Sequence, residues 1–239
     1  MPAPERFTIT GCTVADGPAL SANNMTAFWA NPWWRLTWRH RTLEYHILQA
    51  SKILTRNLLD NRETMRHEKA IDPETGRLLG YARWYVPPAY ATTADGAPVW
   101  PEGVVPGVDS EEEAEIRRLA EEAHWDPNTE PDVLDVTVDA LRDEVLKDRT
   151  FMRLEYLAVH PDNQGKGIGT ALVKSGLKQA DKLGLDVFIQ ALEDGVNVYG
   201  RMGFEIQKEI TQDDSMFGGT GRHYTCMMTY EQKKPQTDT

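Results

Sequence analysis

Three glycines separated by single residues stand at the boundary between a strand-like and a helix-like segment of this 239-residue chain. Gly165, Gly167 and Gly169 follow a β-rich run that ends near Val159, and a helical pattern of apolar residues begins at about Leu172. Residues without a Cβ let backbone N–H groups approach an anion closely, and the start of a helix adds unpaired N–H groups and a positive dipole end. The spacing therefore predicts a phosphate cradle at a strand-to-helix junction.

The glycine spacing differs from the two best-known phosphate-binding fingerprints. A dinucleotide-binding turn requires G-x-G-x-x-G, whereas this chain has G-x-G-x-G. A P-loop requires a Lys and then a Ser or Thr directly after its last glycine, whereas Lys166 lies between the glycines. The cluster alone is equally compatible with a tight turn that caps a helix, so the flanking sequence has to decide between the two interpretations.

The flanking residues resemble those of the GCN5-related N-acetyltransferase (GNAT) superfamily. Residues 164–169 match the family's Q/R-x-x-G-x-G/A signature, and they follow a Leu-x-Val-x-Pro strand made by Leu157, Val159 and Pro161. Residues 191–204 are similar to the family's next strand, which is followed by a short helix and Tyr-x-x-x-Gly-Phe. Two motifs in the family's order and at its spacing make the resemblance specific.

The resemblance is strong over about residues 150–230 and weaker over residues 6–86, where residues 13–20 resemble the family's N-terminal strand-to-helix entry. It implies the α+β GNAT acyl-CoA N-acyltransferase fold, with a central mixed sheet flanked by helices. We expect one domain over residues 1–232, an acidic helical insertion at about 87–148, and a disordered polar tail at 233–239.

The resemblance also implies a function, namely acetyl transfer from acetyl-CoA to an amine by direct attack, with no nucleophilic residue. The glycine turn would hold the pyrophosphate of CoA through backbone N–H groups. The free edge of the preceding strand would pair with pantetheine, and one N–H there would polarise the thioester carbonyl. The residues that the resemblance assigns to the cofactor are Leu157, Ala158, Val159, Gln164, Gly165, Lys166, Gly167, Ile168, Gly169, Thr170, Glu193 and Tyr199.

The chain departs from the family pattern at the start of the short helix. Many relatives carry an Asn there to hold pantetheine, whereas this chain has Glu193-Asp194-Gly195. The form Glu-Asp-Gly-x-x-x-Tyr looks more like the fungal small-molecule branch of the superfamily, in which Ala-Ser-Pro-x-Gly-x-x-x-Tyr recurs.

Two proton transfers must accompany the reaction. Tyr199 matches the family's helix tyrosine, which implies that it protonates or hydrogen-bonds the departing sulfur; the alternative is a ring that only packs against the cofactor. The acceptor must lose a proton, because an alkylammonium with a pKa of about 10 cannot attack. Glu155 on the central strand is the best candidate for this base, with a surface or strand-pairing role as the alternative. His160 is a weaker candidate.

Composition limits the classes of protein that this chain can belong to. No run of eighteen apolar residues is present, and the N-terminal residues lack a basic start and an apolar core. We therefore expect no membrane span and a cytoplasmic, or nuclear, location. Cys12 and Cys226 are then expected to be reduced, buried thiols. No Cys/His group has metal-ligand spacing, so no metal is expected.

The net charge of −11 argues against nonspecific nucleic-acid binding. Residues 109–148 contain fifteen Asp or Glu and four Lys or Arg, and their balance of −11 equals that of the whole chain. An acidic segment of this kind could steer a small cationic amine into the site. The alternative is a pair of solvated helices.

These observations leave the acceptor and the oligomeric state, a homodimer included, open. An insertion would tend to cover an open peptide groove, which favours a small-molecule amine over a protein lysine or N-terminus. A non-catalytic acyl-CoA sensor is the alternative from a different class. The motif Asn31-Pro32 is expected to break a helix, and Trp33, Trp34 and Trp38 beside it could be core residues or line an acceptor pocket.

Apolar periodicity predicts the remaining elements. Helices are expected at 22–29, 42–60 and 110–123 (with Ser110 as N-cap), from Pro131, from the glycine turn to about Gly184, and at 195–202. Strands are expected at 7–14, 67–71, 78–86, 150–159, 186–192, 204–210 and 223–230, and a proline-rich loop at 87–106.

Overall fold

A computed structural model describes residues 6–232, which form a seven-stranded mixed sheet with helices on both faces. The strand order is β1-β2-β3-β4-β5-β7-β6, and β4 and β5 are parallel whereas the other neighbours are antiparallel. The strands are β1 Thr8–Gly11, β2 Met65–Ile71, β3 Leu78–Tyr85, β4 Phe151–Val159, β5 Asp186–Leu192, β6 Glu205–Gln212 and β7 His223–Tyr230. The tail predicted at 233–239 lies outside the described residues.

The helices divide between the two faces of the sheet because successive strand side chains point to opposite sides. On one face, Leu172 and Leu177 of the long helix α6 pack in a core cluster with Trp84 of β3. The other face carries α1 and α3 over Tyr81 and α5 over Phe151. The helices are α1 Gly17–Trp29, α2 Pro32–Trp38, α3 Leu43–Leu59, α4 Ser110–Glu121, α5 Asp135–Leu146, α6 Ile168–Leu183 and α7 Glu193–Gly200.

Two local predictions are wrong in detail. The expected break at Asn31-Pro32 does end α1, but Pro32 also begins α2, because a proline at the first helical position has a suitable φ and no N–H to satisfy. The Asn31 side chain caps this helix by accepting the Trp34 N–H at 3.0 Å. The N-cap of α4 is Asp109 rather than Ser110, since its Oδ1 accepts the N–H groups of two following residues.

Both cysteines are buried and free of a disulfide, as predicted. Within residues 6–232, none of the helices combines the length and the apolar character that a bilayer crossing requires. The same part of the chain contains no group of three or more His, Cys, Asp or Glu side chains placed to hold a metal ion.

Candidate active site

The two parallel strands at the centre of the sheet pair over only part of their length. Residues Phe151 to Leu154 of β4 pair with Asp186 to Ile189 of β5, and no pairing continues beyond this point although both strands do. The edge of β4 that faces β5 is therefore unpaired from Glu155 to its end. An open strand edge in the middle of a sheet offers backbone N–H and C=O groups to a ligand.

A β-bulge marks the place where the strands part. On the other side of β4, Arg83 pairs with Tyr156 and Trp84 pairs with Leu154, so Glu155 is the extra residue. The N–H of His160 donates to Leu79 O at 3.4 Å, towards β3. Because backbone groups of successive strand residues point to opposite edges, those of 157 and 159 point towards the open edge.

The glycine turn lies at the end of this open edge. Gly165 and Gly167 have φ of 72° and 83°, values that favour glycine, and the turn is exposed at both positions. From 165 to 170, no backbone N–H donates to an acceptor in the described chain; the next one, of Ala171, donates to Gly167 O at 3.0 Å. A row of free N–H groups at the start of the sixteen-residue α6 is an arrangement that can bind an anion.

Contacts within the turn hold the cradle against β4. A Cβ on Gly169 would lie 3.5 Å from Val159 Cγ2, so the first turn of α6 packs directly on the strand. The Gln164 side chain donates from Nε2 to Val159 O at 3.3 Å. Lys166 donates from Nζ to the buried Asn163 at 2.9 Å. The turn and the open edge therefore form one continuous surface.

Tyr199 lies on α7, which follows β5 on the far side of the opening. Its ring is 8% exposed and packs at 5.7 Å from Phe204, in the core cluster that also contacts Leu157. Burial, with a smaller contribution from Cys226, raises the pKa of Tyr199 above its usual range. Its hydroxyl has no hydrogen-bond partner in the described chain. The phenol therefore stays protonated and has a proton to donate.

Glu155 lies at the bulge. Its Oε1 is 2.8 Å from Nε of Arg153, which also covers the ring of Tyr85 at 4.0 Å. The side chain of Glu155 is 28% exposed, so solvent reaches it. A carboxylate at this position, held beside a guanidinium and in contact with water, can accept a proton and pass it to solvent.

Residues 135–206 match the family model described as the acetyltransferase (GNAT) domain. This segment of the chain is therefore similar to the GNAT domain. The matched segment begins with α5, runs through the open strand pair and the glycine turn, and ends in β6.

Two curated relatives match part of this chain. Over 64 residues the chain is 34% identical to the L-methionine sulfoximine/L-methionine sulfone acetyltransferases of Pseudomonas paraeruginosa and Pseudomonas aeruginosa. The matched part is 25% of this chain and 37% of each relative, so the chain spans well under half the length of the curated relatives it matches.

Two solved structures are similar to this chain over nearly its whole length. The Corynebacterium glutamicum protein described as histone acetyltransferase HPA2 and related acetyltransferase has a TM-score of 0.55, at 16% identity over 97% of this chain and 99% of that one. An acetyltransferase-type protein of Salmonella typhimurium, solved with its cofactor acetyl-CoA, has a TM-score of 0.47, at 14% identity over 98% and 99% of the two chains. At such identities the first similarity establishes the GNAT fold, which confirms the predicted fold class.

The segment inserted between β3 and β4 covers the face of the sheet above the opening. It is fastened to the α2–α3 region, where the N–H of Asn128 donates to Thr37 O at 2.9 Å and the N–H of His124 to Gln49 Oε1 at 2.9 Å. It is also fastened to β6, where Gln212 Nε2 donates to the carbonyl of residue 134 at 2.8 Å. The insertion therefore connects the two sides of the opening.

An open cleft of about 530 Å³ remains between α5 and the parting strands. Both guanidinium and carboxylate groups line it. The lining residues include Arg142, Asp143 and Leu146 of α5, residues 153–155 of β4, and Phe188 and Gln190 of β5. The cleft therefore reaches the bulge from the face of the sheet opposite α6.

The carboxylates of the acidic insertion produce a weaker negative field in the cleft than the composition of the insertion indicates. Eight of its fifteen carboxylates are ion-paired at the surface. Each pair places a guanidinium or ammonium within 4 Å, so the field that these carboxylates send into the cleft is reduced. The paired residues are Glu113, Glu115, Glu122, Asp126, Glu130, Asp139, Asp143 and Glu144.

The structure brings most of the residues predicted for the site together along one line from the bulge to the turn. Ala158 is an exception among these residues, because its carbonyl accepts a hydrogen bond from Asn23 Nδ2 of α1 at 3.2 Å. Glu193 is exposed and forms an ion pair with Arg222, the residue directly before β7. The tryptophans have different environments. Trp38 is buried, whereas the ring of Trp33 stacks on that of His223 with their centroids 3.9 Å apart.

Two residues beside the bulge, Arg83 and Tyr156, belong to no motif in the sequence. Residues 78–86, which include Arg83, predict only the second strand of a hairpin. A signal was present, since an arginine in an otherwise apolar strand needs a partner or a function. The bulge that brings Tyr156 level with Arg83 depends on strand pairing and has no local signature.

Proposed function

We propose that this protein is an acetyl-CoA-dependent N-acetyltransferase that acetylates the primary amine of a small molecule by direct attack. One observation carries the proposal: an open strand edge leads without interruption into a turn whose N–H groups have no acceptor in the described chain. A long thioester with a diphosphate fits such a surface, because strand-like hydrogen bonds suit its amides and free N–H groups suit its anionic end.

The residues of the turn fit the diphosphate of CoA. A Cβ at Gly165 or Gly167 would meet no atom within 4 Å, so the space above the turn is open. We propose that the N–H groups of 165–170 bind the phosphates and that Leu157 and Val159 pair with the pantetheine arm. Gln164 and Lys166 shape the turn through side-chain contacts within it. In this proposal Ile168 anchors the helix start, since it is 1% exposed.

When bound, acetyl-CoA supplies an acetyl group activated as a thioester. An N–H at the open edge of β4 would stabilise the negative charge that develops on the carbonyl oxygen, worth roughly 3 kcal/mol for one donor. Glu155 would take a proton from the acceptor ammonium, the freed amine would form the N–C bond as the C–S bond breaks, and the nitrogen would then lose its second proton to solvent. Tyr199 donates its proton to the departing sulfur and recovers one from solvent. The net reaction releases one proton.

The covered face supports a small acceptor. A peptide substrate needs an extended groove, whereas the insertion joins the α2–α3 region to β6 across this face. The names of the two Pseudomonas relatives refer to amino-acid analogues of low molecular weight. The charge argument for a purely cationic acceptor loses support, because eight of the acidic side chains in the insertion are paired. The fungal-type branch and a homodimer stay predictions.

The single-domain organisation is also a proposal. One continuous sheet from β1 to β6 supports it, because neither the N-terminal hairpin nor the C-terminal strands have a separate sheet. The insertion at about 87–148 packs on both halves and has no strand in that sheet.

The experiment measures CoA release with Ellman's reagent over polyamines, amino sugars, arylalkylamines, amino acids and histone peptides, with product mass as confirmation. We expect release with at least one small amine and a product heavier by one acetyl group. Turnover of peptides alone would favour a protein acetyltransferase. Acetyl-CoA binding in calorimetry without turnover on any acceptor would favour a non-catalytic sensor.

A further inference from the structure

Arg83 lies on β3 directly beside the proposed reaction centre. It pairs in the sheet with Tyr156, the residue that follows the bulge at Glu155. Its guanidinium carbon is 5.7 Å from the centre of the Tyr156 ring. Arg83 shares a strand face with Tyr81 and Tyr85, on the side covered by α1 and opposite α6. Any acceptor that reaches Glu155 on this face therefore comes close to Arg83.

The charge of Arg83 is not balanced by the chain. The side chain of Arg83 makes neither an ion pair nor a hydrogen bond with any residue in the range 6–232, and its Nε is buried without a partner. The imidazole of His67, which pairs with Arg83 in the sheet, is neutral near pH 7, because burial, with added repulsion from Arg83 and Arg66, lowers its pKa to about 3. Burial raises the pKa of Tyr156 above its usual range. A buried guanidinium nitrogen without a hydrogen-bond acceptor destabilises the protein unless a ligand accepts a hydrogen bond from it.

Two other unpartnered polar atoms on this face, on Tyr156 and Asn24, are hydrogen-bond donors. The Tyr156 hydroxyl is buried without a partner and keeps its proton. On α1, Asn24 Nδ2 is buried without a partner and can only donate, since its Oδ1 already accepts from Asn23. Asn24 lies one turn before Phe28, whose ring contacts Tyr156 at 5.2 Å, so both side chains point to the same face.

We propose that Arg83 and Tyr156 bind a carboxylate of the acceptor, which makes the acceptor an amino acid or a closely related amino carboxylate. A carboxylate accepts from a guanidinium and from a phenol at once, and it supplies the missing negative charge. In an α-amino acid a single carbon separates the carboxylate from the amine. Binding the carboxylate beside Tyr156 therefore holds the amine next to Glu155. This inference rests on the acetyl transfer proposed above and specifies its substrate class.

The test compares L-amino acids, including L-methionine sulfone, with their α-amides, which keep the amine and replace the carboxylate by a neutral group. With the wild-type protein, kcat/KM for the preferred acid should exceed that for its amide by about 10- to 100-fold, the range expected for a hydrogen bond to a charged group. Arg83→Gln should lower kcat/KM of the acid to that of the amide through a higher KM. Arg83→Lys should restore part of the preference because the charge returns.

Arg77→Gln is the matched control, because it makes the same change on an exposed residue of the β2–β3 turn and should keep the preference. Circular dichroism and thermal melting establish whether each variant folds. If Arg83→Gln does not fold, the comparison of acids with amides on the wild type still decides the matter. Equal turnover of acids and amides by the wild type, or an acid preference that survives in folded Arg83→Gln, would overturn the inference.

A binding measurement separates this inference from the proposed function. Thermal shift of the CoA-saturated protein reports binding of each acid and amide without turnover. Acid binding that depends on Arg83 but yields no acetylated product would support the subsite and refute the transferase function. Acetylation of amines that lack a carboxylate, with no preference for acids, would support the function and refute the subsite. The absence of both binding and turnover for all acids would refute the inference.

Discussion

Glu68 provides a prediction whose magnitude follows from the structure. It lies on β2, 6% exposed, on the sheet face that packs against α6, and its Oε1 accepts from Ser175 Oγ at 2.8 Å. Burial raises the pKa of Glu68 from 4.5 to about 7, although hydrogen bonds from Ser175 and Trp100 oppose the shift and Glu102 adds to it. The unfolded chain has no such environment. Ionising this carboxyl therefore weakens the folded state.

The sign follows from proton binding. Between pH 4.5 and pH 7 the folded protein holds a proton on Glu68 that the unfolded chain has lost, so this group makes stability fall as the pH rises. A shift of this size at roughly 1.4 kcal/mol per pH unit amounts to about 3 kcal/mol. Above pH 7 the contribution is constant. Glu68→Gln keeps an acceptor for Ser175 and removes the charge, so it should abolish this dependence.

The assay is urea unfolding of the wild type and Glu68→Gln from pH 4.5 to pH 8, followed by tryptophan fluorescence. The free energy of unfolding of the variant minus that of the wild type should increase by up to about 3 kcal/mol up to pH 7 and then stay level. Taking the difference cancels His46 and His67, whose pKa values burial lowers to about 4 and about 3. Protonation of these two histidines lowers the free energy of unfolding as the pH falls below 6.5, which is the opposite pH dependence to that of Glu68.

Glu74→Gln is the control, because Glu74 is exposed in the turn between β2 and β3 and its difference curve should be flat. If burying the glutamine amide lowers the free energy of unfolding by an amount that does not depend on pH, the whole difference curve of Glu68→Gln shifts while its slope against pH stays the same. A slope of zero for Glu68→Gln, or one of opposite sign, would refute the reasoning that burial keeps this carboxyl protonated.

Three further predictions concern the site and the helix that supports it. Gly167→Glu should abolish acetyl-CoA binding in calorimetry, because the new side chain is bulky and has the same charge as the phosphates. The control Gly76→Glu, at a similar φ of 70° in a distant turn, should still bind acetyl-CoA. Binding of acetyl-CoA by Gly167→Glu would mean that the cradle is misplaced. Tyr199→Phe should lower kcat roughly 100-fold with little change in acetyl-CoA affinity, and an unchanged kcat would exclude it as the acid. Gly176→Ala should lower the free energy of unfolding by roughly 1–3 kcal/mol in urea titrations, because its Cβ would lie 2.1 Å from Trp84; no loss would contradict a rigid contact.

Local patterns were sufficient for the elements whose signals are strong. The nearly continuous apolar run of β5 predicted its observed bounds, Asp186–Leu192, and the last strand was likewise predicted at its observed bounds, His223–Tyr230. The heptad-like spacing of α3 predicted 42–60 against the observed Leu43–Leu59. These elements bury one face or both, so their composition records their environment directly.

Local patterns were insufficient where capping chemistry or contacts between distant parts of the chain decide the outcome. Pro32 could end a helix or begin one, and the cap that Asn31 provides made it a beginning. Asp109 and Ser110 are both good caps, and only the backbone geometry distinguishes them. The negative charge of residues 109–148 is real, but basic partners from distant parts of the chain, such as Arg39, Arg41 and Lys208, reduce its effect.

The amino-acid sequence by itself determined the glycine turn, the strand before it and the tyrosine after it, because these depend on residues that are neighbours along the chain. Only the tertiary structure decided that β4 and β5 part after Leu154, that a bulge falls at Glu155, and that Arg83 lies unpaired beside Tyr156. Strand pairing joins residues that are more than seventy positions apart, such as 83 and 156, and register is set by the packing of whole strands. The turn was therefore readable from the sequence, whereas the cation that we propose to select the acceptor was not.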